Sequence, residues 1–465
     1  MSRADVVVVG GGLAGLSAAL HCQDAGAAVT LLERRPRLGG ATWSFERNGL
    51  RFDNGQHVYL RCCTAYRRLL ERLGTAGHAP LQDRLRLPVL APSPSGGEPT
   101  AAVLQRTGAP APLHLAGALA TYRHLSLADR ARLGLAVRAL QRLDLSDPAL
   151  DTETFGAFLA RHGQSPAAID RLWDLIALPT CNVRSADVSL AVAAKVFRTG
   201  LLDEADAADL GWARIPLADL HVDPAAAALE AGGATLRRGA RVVGIDPPTG
   251  RGGAGRLAVV LADDRIEADA VVLAVPHDAA ADLLPAGAGI DPARLRRLGT
   301  SPIIDVHVVY DRQVTDHEVA AGVGTPVQYV FDRTDAAGLA RHDGQCLAVS
   351  VSGADAEHGE RPELLVERYT AALAALFPAA RDAKVVDAVV SREHAATFRA
   401  LPGTAGLRPG PVTALPGLYL AGAWTATRWP ATMEGAVRSG TVAATCALDG
   451  AGRRPGATQL AEEVA

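Results

Sequence analysis

The strongest constraint on how this chain folds lies within its first forty residues. Residues 5–9, Asp-Val-Val-Val-Val, form a β-branched run that ends on a glycine cluster, the pattern of a strand buried in a parallel sheet. Gly10, Gly12 and Gly15 then spell GxGxxG at the head of a stretch that reads as helix to about Asp24. A second strand, Ala28 to Glu33, completes a βαβ unit. The first glycine permits a tight turn, the second lets backbone approach a pyrophosphate, and the third lets helix and strand pack closely. The helix start, with Leu13 and Ala14 in its first turn, offers free N–H groups and partial positive charge to a phosphate. Glu33 ends the second strand eighteen residues after Gly15, where a carboxylate can accept hydrogen bonds from a ribose. A glycine triplet alone is a weak signal. With strand, helix and acidic strand end in place, it specifies dinucleotide binding.

At 465 residues the chain exceeds one hydrophobic core, so two or three packed units are expected. Hydrophobic residues at 48% and charged residues at 21% describe an ordinary folded protein. With 47 basic against 50 acidic residues and no basic stripe interleaved with aromatics, nucleic acid is an unsuitable partner. The six cysteines (Cys22, Cys62, Cys63, Cys181, Cys346, Cys446) form no CxxC pair and no Cys/His ligand spacing. They read as free thiols in a reducing cytosol, with no metal site. Neither a signal peptide nor an apolar run of about 18 residues is evident. The expected location is cytoplasmic, free or peripheral at the inner face of the cytoplasmic membrane.

Farther along, Pro92 to Pro99 reads as an exposed hairpin or loop tip, followed by a long helical region to about residue 220. Strands return at Ala240–Ile245, Leu257–Leu261, Ala270–Val275, Pro302–Tyr310, Cys346–Val351 and Gly417–Ala421, and a helix runs from about Thr432. The cofactor unit is therefore expected in three pieces, 1–78, 226–278 and 406–450. Substrate-facing parts, 79–225 and 279–405, are inserted between them, and 451–465 is expected as a flexible tail.

Glu33 is followed by Arg34, Arg35, Arg37 and the pair Gly39-Gly40. An acidic strand end, a basic turn and a Gly-Gly pair resemble the two-dinucleotide-domain flavoproteins, which include amine oxidases and carotenoid desaturases. The resemblance implies an α/β fold of Rossmann-like type that binds FAD, with an inserted mixed-sheet and helical substrate domain. It also implies Gly39, Gly40, Arg34 and Arg35 near the cofactor; the complete fingerprint with Glu33, and no Cys or His tether beside the C-terminal flavin segment, make non-covalent binding the expectation. The Arg that usually follows the Gly-Gly pair is Ala41 here, and Arg35 or Arg37 is a candidate substitute. Leu418 to Gly440 looks like the segment that closes over the flavin in this superfamily. There Gly422 follows the strand, and a helix from Met433, with Glu434 and Ala436 in its first turn, would aim N–H groups at the pyrimidine edge. Such groups stabilise the negative charge of reduced flavin. Ala423 and Trp424 replace the acidic residue that many relatives carry. Val242 resembles the strand residue whose backbone meets adenine.

Asp53-Asn54-Gly55-Gln56-His57, followed by Cys62, Cys63, Tyr66 and Leu70, resembles a stretch of the hydroxysqualene dehydroxylases, FAD enzymes of squalene and hopanoid synthesis. Trp429 to Ala436 is similar to the same family's C-terminal signature. The resemblance implies loss of an allylic hydroxyl as water, with hydride from reduced flavin, a long apolar isoprenoid substrate and an external electron donor. Hydroxide leaves poorly, so an acid is required. His57 is the leading candidate, because its turn should approach the flavin together with Gln56. Asp305 is the second, on a strand where amine oxidases often carry a Lys. Asp53 reads as a turn residue, and Glu434 as a partner of the helix dipole or of an Arg. A carotenoid desaturase is the competing reading. Amine oxidase is disfavoured by Thr432, where an aromatic cage residue often stands, and a flavin-binding scaffold without turnover is the third. The helix from about Ser126 sets Leu133, Ala136, Val137 and Leu140 opposite Arg138 and Arg142, a face that covers a core or docks on a membrane.

Overall fold

The computed structural model describes residues 3–248 and 255–451; apart from Ala451, the expected tail lies outside them. The β-branched run forms the strand Asp5–Val9, central in a five-stranded parallel sheet. The strand order is Leu418–Leu420, Ala270–Leu273, Asp5–Val9, Ala28–Glu33, Thr235–Arg238. Val8 is flanked by Leu31 and Val272, so both faces bury apolar side chains, as a sheet covered on each side requires. The helix Leu13–Asp24 packs on this sheet beside the helix Met433–Gly450. Their approach is set by Gly440, where an added Cβ would fall 2.1 Å from the Ala14 carbonyl oxygen. The fold is thus the Rossmann-like FAD type, with its parallel sheet gathered from segments far apart in sequence.

The inserted parts build a seven-stranded mixed sheet and a helical region. Thr300–Tyr310 lies inside the sheet, antiparallel to Gln345–Ser352 on one side and Val385–Phe398 on the other. The sheet continues through Tyr329–Asp332, Val319–Gly322, Arg86–Ala91 and Thr100–Gln105. Pro92 to Pro99 is the tip joining the last two strands in space. Asn182, left-handed at φ 56, ends the helix Asp174–Cys181. Its amide bonds Ser301 O, Thr397 Oγ1 and Gly353 N, which locks the helical region onto the sheet.

One expectation needs correction: the helical region expected from Pro99 to residue 220 opens with the strand Thr100–Gln105 and contains the strand Leu210–Trp212, paired antiparallel with Arg86–Ala91 and Val58–Leu60 respectively. Three residues with a central glycine carry no alternation to read. Gly211 is there because the Tyr59 ring occupies the space of a side chain, and a Cβ would meet that ring at 2.5 Å. The hairpin Ser44–Arg47/Leu50–Asp53 and the strands Val319–Gly322 and Tyr329–Asp332 were likewise not foreseen. The helix from Ser126 is Leu127–Gln141. Ser126 caps it by accepting from Asp129 N, and Leu133, Ala136 and Leu140 are buried.

Candidate active site

A single cavity of about 730 Å³ runs from the glycine motif to the helical region. At its first end the wall is largely backbone. Gly10 adopts φ 110, and a Cβ would stand 2.3 Å from Ala274 O. A Cβ on Gly15 would be 1.8 Å from Gly10 O. Gly15 therefore serves helix–strand packing and does not line the cavity. Gly12 differs, since its nearest neighbour would be Gly40 Cα at 3.7 Å. Open space over a helix N-terminus, walled by two glycines, fits a pyrophosphate.

Glu33 Oε2 accepts from Gly11 N and Oε1 from Arg35 N, both at 2.8 Å. The carboxylate ties the two loops together while still lining the cleft. Arg34, Arg35, Gly39, Gly40 and Ala41 line it too. Arg37 turns away: its guanidinium lies 3.7 Å over the Trp43 ring and bonds the Leu38 and Gly40 carbonyls. Of the two candidates to replace an Arg at 41, Arg35 is the one facing the cleft. Val242 lines the outer end.

Gly422, Met433, Glu434 and Ala436 close the cavity from the C-terminal side, and Leu13 and Ala14 from the opposite one. Thr432 Oγ1 accepts from Gly435 N and caps the helix. Glu434 is buried and fully engaged, accepting from Ala65 N, Tyr66 N and Arg438 Nε. Sequence reasoning missed Arg408. Its buried guanidinium donates to the carbonyls of Ala423, Trp424, Thr425 and Trp429 and to Thr427 Oγ1, and stacks 4.7 Å from the Phe398 ring centroid. Burial without a carboxylate partner pushes it down to about 10. One side chain thus holds the whole 423–429 loop. A lone Arg in a loop gives no sequence signal for that.

In the middle of the cavity the Asp53–His57 turn is fixed from behind. Asp53 forms a buried ion pair with Arg333 at 2.7 Å and also accepts from Ser44 Oγ and Leu217 N. His307 Nε2 lies 3.0 Å from the Asp53 carbonyl oxygen. Gln56 and His57 face the cavity. His57 Nδ1 sits 3.1 Å from Gly55 O; a ring donating there keeps Nε2 as an acceptor. Enclosure in protein pushes its imidazole below the usual range, because the charged form loses its hydration.

Asp305 is fully buried and does not line the cavity. Its Oδ1 accepts from Gln56 N at 3.1 Å, whereas Oδ2 has no protein hydrogen bond. Desolvation drives the carboxyl up to about 7. Gly55 is the spacer between the two candidates: a Cβ there would lie 3.3 Å from Asp305 Oδ2 and 3.5 Å from His57 Cε1. Ser350, directly across the ladder from Asp305, does reach the cavity wall. Beyond this turn the wall becomes apolar, with Leu87, Leu104, Leu119, Leu133, Ile176 and Phe331.

A glycine-walled cleft on a parallel sheet, continuous with an apolar chamber and closed by a capped C-terminal helix, defines a flavin oxidoreductase. The chain belongs to the flavin containing amine oxidoreductase family, whose model matches residues 13–448, and its cofactor is FAD. It is 31% identical over 454 residues to the hydroxysqualene dehydroxylase of Rhodopseudomonas palustris, covering 95% of this chain and 98% of that one. It is 26% identical over 490 residues to a probable zeta-carotene desaturase of Synechococcus elongatus, covering 96% and 98%. Among solved structures, the cyclohexylamine oxidase of Brevibacterium oxydans matches with a TM-score of 0.71 at 18% identity, over 96% of this chain and 99% of that one. A putrescine oxidase bound to putrescine matches at 0.67 and 23%, over 96% and 98%. At those identities the likeness concerns the fold alone.

Proposed function

We propose that this FAD-dependent oxidoreductase removes the hydroxyl of hydroxysqualene reductively, giving squalene and water. The observation that carries the reading is the Asp53–His57 turn, which sets a buried carboxyl with one oxygen free of hydrogen bonds one glycine away from a cavity with a long apolar wall. The identity to a hydroxysqualene dehydroxylase supports it.

The reaction needs a proton for the departing hydroxyl, a dry chamber for the chain, and a fixed orientation of the allylic carbon. Reduced flavin, when bound, supplies hydride at N5. Asp305, raised to about 7 by burial, keeps a proton near neutrality and passes it toward the cavity beside Ser350. His57, held neutral with Nε2 as acceptor, orients the hydroxyl. This ordering reverses the expectation from sequence, in which His57 led. The cause is burial, which weakens an imidazolium and strengthens the hold of a carboxyl on its proton.

The substrate arrives from a lipid phase in this reading. The inner faces of segment 113–120 and helix Leu127–Gln141 line the cavity through Leu115, Leu119, Leu133 and Val137. Their outer faces expose Leu113 (62%), Leu127 (77%) and Leu135 (57%), which supports peripheral contact with the cytoplasmic membrane. Among the described residues no helix is long and apolar enough to cross a membrane. Flotation with lipid vesicles, lost in a Leu113→Ser/Leu127→Ser/Leu135→Ser protein, checks this part.

The test of the reaction is anaerobic. Dithionite-reduced protein should be reoxidised by hydroxysqualene in a single turnover, with squalene as product. Bleaching of oxidised protein by a carotene-type polyene would instead favour a desaturase, the reading that the zeta-carotene desaturase likeness supports. Amines should produce no peroxide at enzymatic rates of ~1–10³ per second, since Thr432 is a helix cap and no Lys lies on Thr300–Tyr310.

A further inference from the structure

Trp429, in the loop held by Arg408, carries two cations on its ring. Lys195 Nζ lies 5.5 Å and Arg438 Cζ 4.9 Å from the ring centroid. Lys195 is one of only two lysines in the chain. It projects from the largely buried helix Leu190–Phe197 into the cavity wall. Among the described residues its ammonium makes no hydrogen bond and no ion pair, and neither does the Arg428 guanidinium.

The carboxylates within reach are taken. Glu434 pairs with Arg438 at 2.6 Å and accepts two backbone N–H groups, while Asp203 pairs with Arg198 at 2.6 Å. Burial, then Arg438 and Arg428, push the Lys195 ammonium below its usual range, against weaker support from Asp203 and Cys62. Lys195 and the two arginines whose charge acts on it therefore have within reach two carboxylates, Glu434 and Asp203, both already bonded. Arg428 also holds φ 56, a left-handed conformation that L side chains rarely adopt.

An ammonium with three unengaged donors in a cavity wall is matched by an oxyanion. From Lys195 the wall turns at once apolar, through Val196, Phe197, Leu201 and Leu202. We propose that Lys195, with Arg428 and Arg438 around Trp429, binds the anionic head group of a long-chain amphiphile whose tail occupies the apolar cavity. A neutral alcohol needs no such countercharge, so the inference goes beyond the proposed reaction and stands or falls apart from it. Such a ligand competes with the neutral substrate for the chamber, which makes the site inhibitory.

The head group is a carboxylate or a phosphate, and binding to the oxidised holoenzyme, without turnover, separates them. The flavin difference spectrum is followed on titration with oleate, farnesyl monophosphate and farnesol. Both anions, or one of them, should bind tighter than farnesol, and the tighter one identifies the head group. Lys195→Met should weaken the anion about tenfold, equivalent to ~1.4 kcal/mol, and leave farnesol within about twofold. Arg428→Ala, at an exposed side chain, should weaken the anion by a smaller factor and make binding less salt-sensitive. Anions that bind no tighter than farnesol would overturn the proposal. So would a Lys195→Met protein that loses anion and alcohol equally, or full anion affinity in both variants. Failure of hydroxysqualene to turn over leaves every one of these readouts intact.

Discussion

The two ends of the cavity are built from different materials. The dinucleotide end is made of backbone: Gly10, Gly12, Gly39 and Gly40 expose peptide groups, and the one prominent carboxylate, Glu33, binds two of the loop's own N–H groups. The chamber beyond His57 is made of side chains, from strands and helices as far apart as Leu87 and Phe331. Backbone recognition tolerates almost no added atom but little changes with pH. Side-chain chemistry tolerates substitution in the walls but hangs on the charge state of a few buried groups. Each substitution below acts on one end and should leave the other standing.

The largest effect is expected at Gly12. A Cβ there has only Gly40 at 3.7 Å, so the fold accepts it, yet valine's methyls fill the pyrophosphate cleft. Gly12→Val should yield a folded protein without FAD, seen as a cooperative melt and no absorbance near 450 nm after gel filtration. Gly15→Val is the contrast: its Cβ would meet Gly10 O at 1.8 Å, and insoluble protein is expected. Wild-type flavin content in Gly12→Val would break the distinction between a recognition glycine and a packing glycine.

At the other end, Asp305→Asn keeps the Gln56 N bond and removes the proton. FAD should stay bound while single-turnover reoxidation by hydroxysqualene slows ~10²–10⁴-fold. His57→Gln should cost less than about tenfold; a larger loss than in Asp305→Asn would restore the imidazole as the acid. The same carboxyl gives a pH signature. Its folded-state value, about 7 against an ordinary 3.8, means that the fold favours the protonated form. That contribution is complete below about pH 4, is lost as pH rises through 7, and amounts to about 4 kcal/mol at most. Asp305→Asn should flatten the decline in stability across this range, measured by denaturant midpoints at pH 4, 5.5 and 7.5.

This contrast also explains what could be read from sequence. The strand–GxGxxG–helix unit, Glu33 and the helix from Met433 were legible because glycine spacing and β-branched runs are local signals with one physical meaning. The Asp53–His57 turn was legible through a family resemblance, and Asp305 through its place on the Thr300–Tyr310 strand. Arg333 and Arg408 were not, since each acts across more than a dozen residues on groups that no spacing rule connects. The order proposed for His57 and Asp305 was hidden for another reason. Both are titratable, and the proposal rests on their burial, which no residue spacing reveals.

Arg408 lies where the two kinds of construction meet, a side chain whose partners are backbone. Arg408→Ala leaves two buried and two half-buried carbonyls of the 423–429 loop without their donor. Unmet polar groups of this kind cost ~1–3 kcal/mol each when fully dry, and partial relaxation should bring the total loss to roughly 2–4 kcal/mol. Thermal melts should show it, with faster flavin release, because the loop closes the cavity. Arg408→Lys, a single donor head without the planar fork, should recover less than half of the loss. A variant as stable as wild type, releasing flavin no faster, would mean that the loop holds itself.

The smallest effect is expected at Thr432, and it bears on how the cofactor end is finished. In this chain the residue before Met433-Glu434-Gly435 is a helix cap, its Oγ1 accepting from Gly435 N. Thr432→Ala should therefore lower stability by about 1 kcal/mol, and Thr432→Ser should be near neutral, since it keeps the acceptor. Thr432→Tyr loses the cap and adds a ring, so it should be at least as destabilised as Ala and still produce no peroxide from amines. Without a Lys on Thr300–Tyr310, one aromatic wall does not make an amine site. Peroxide from Thr432→Tyr at ~1 per second or faster would show that this position alone separates the chain from amine oxidation. Equal melting of Thr432→Ala and wild type would remove the capping role and leave residue 432 to the substrate.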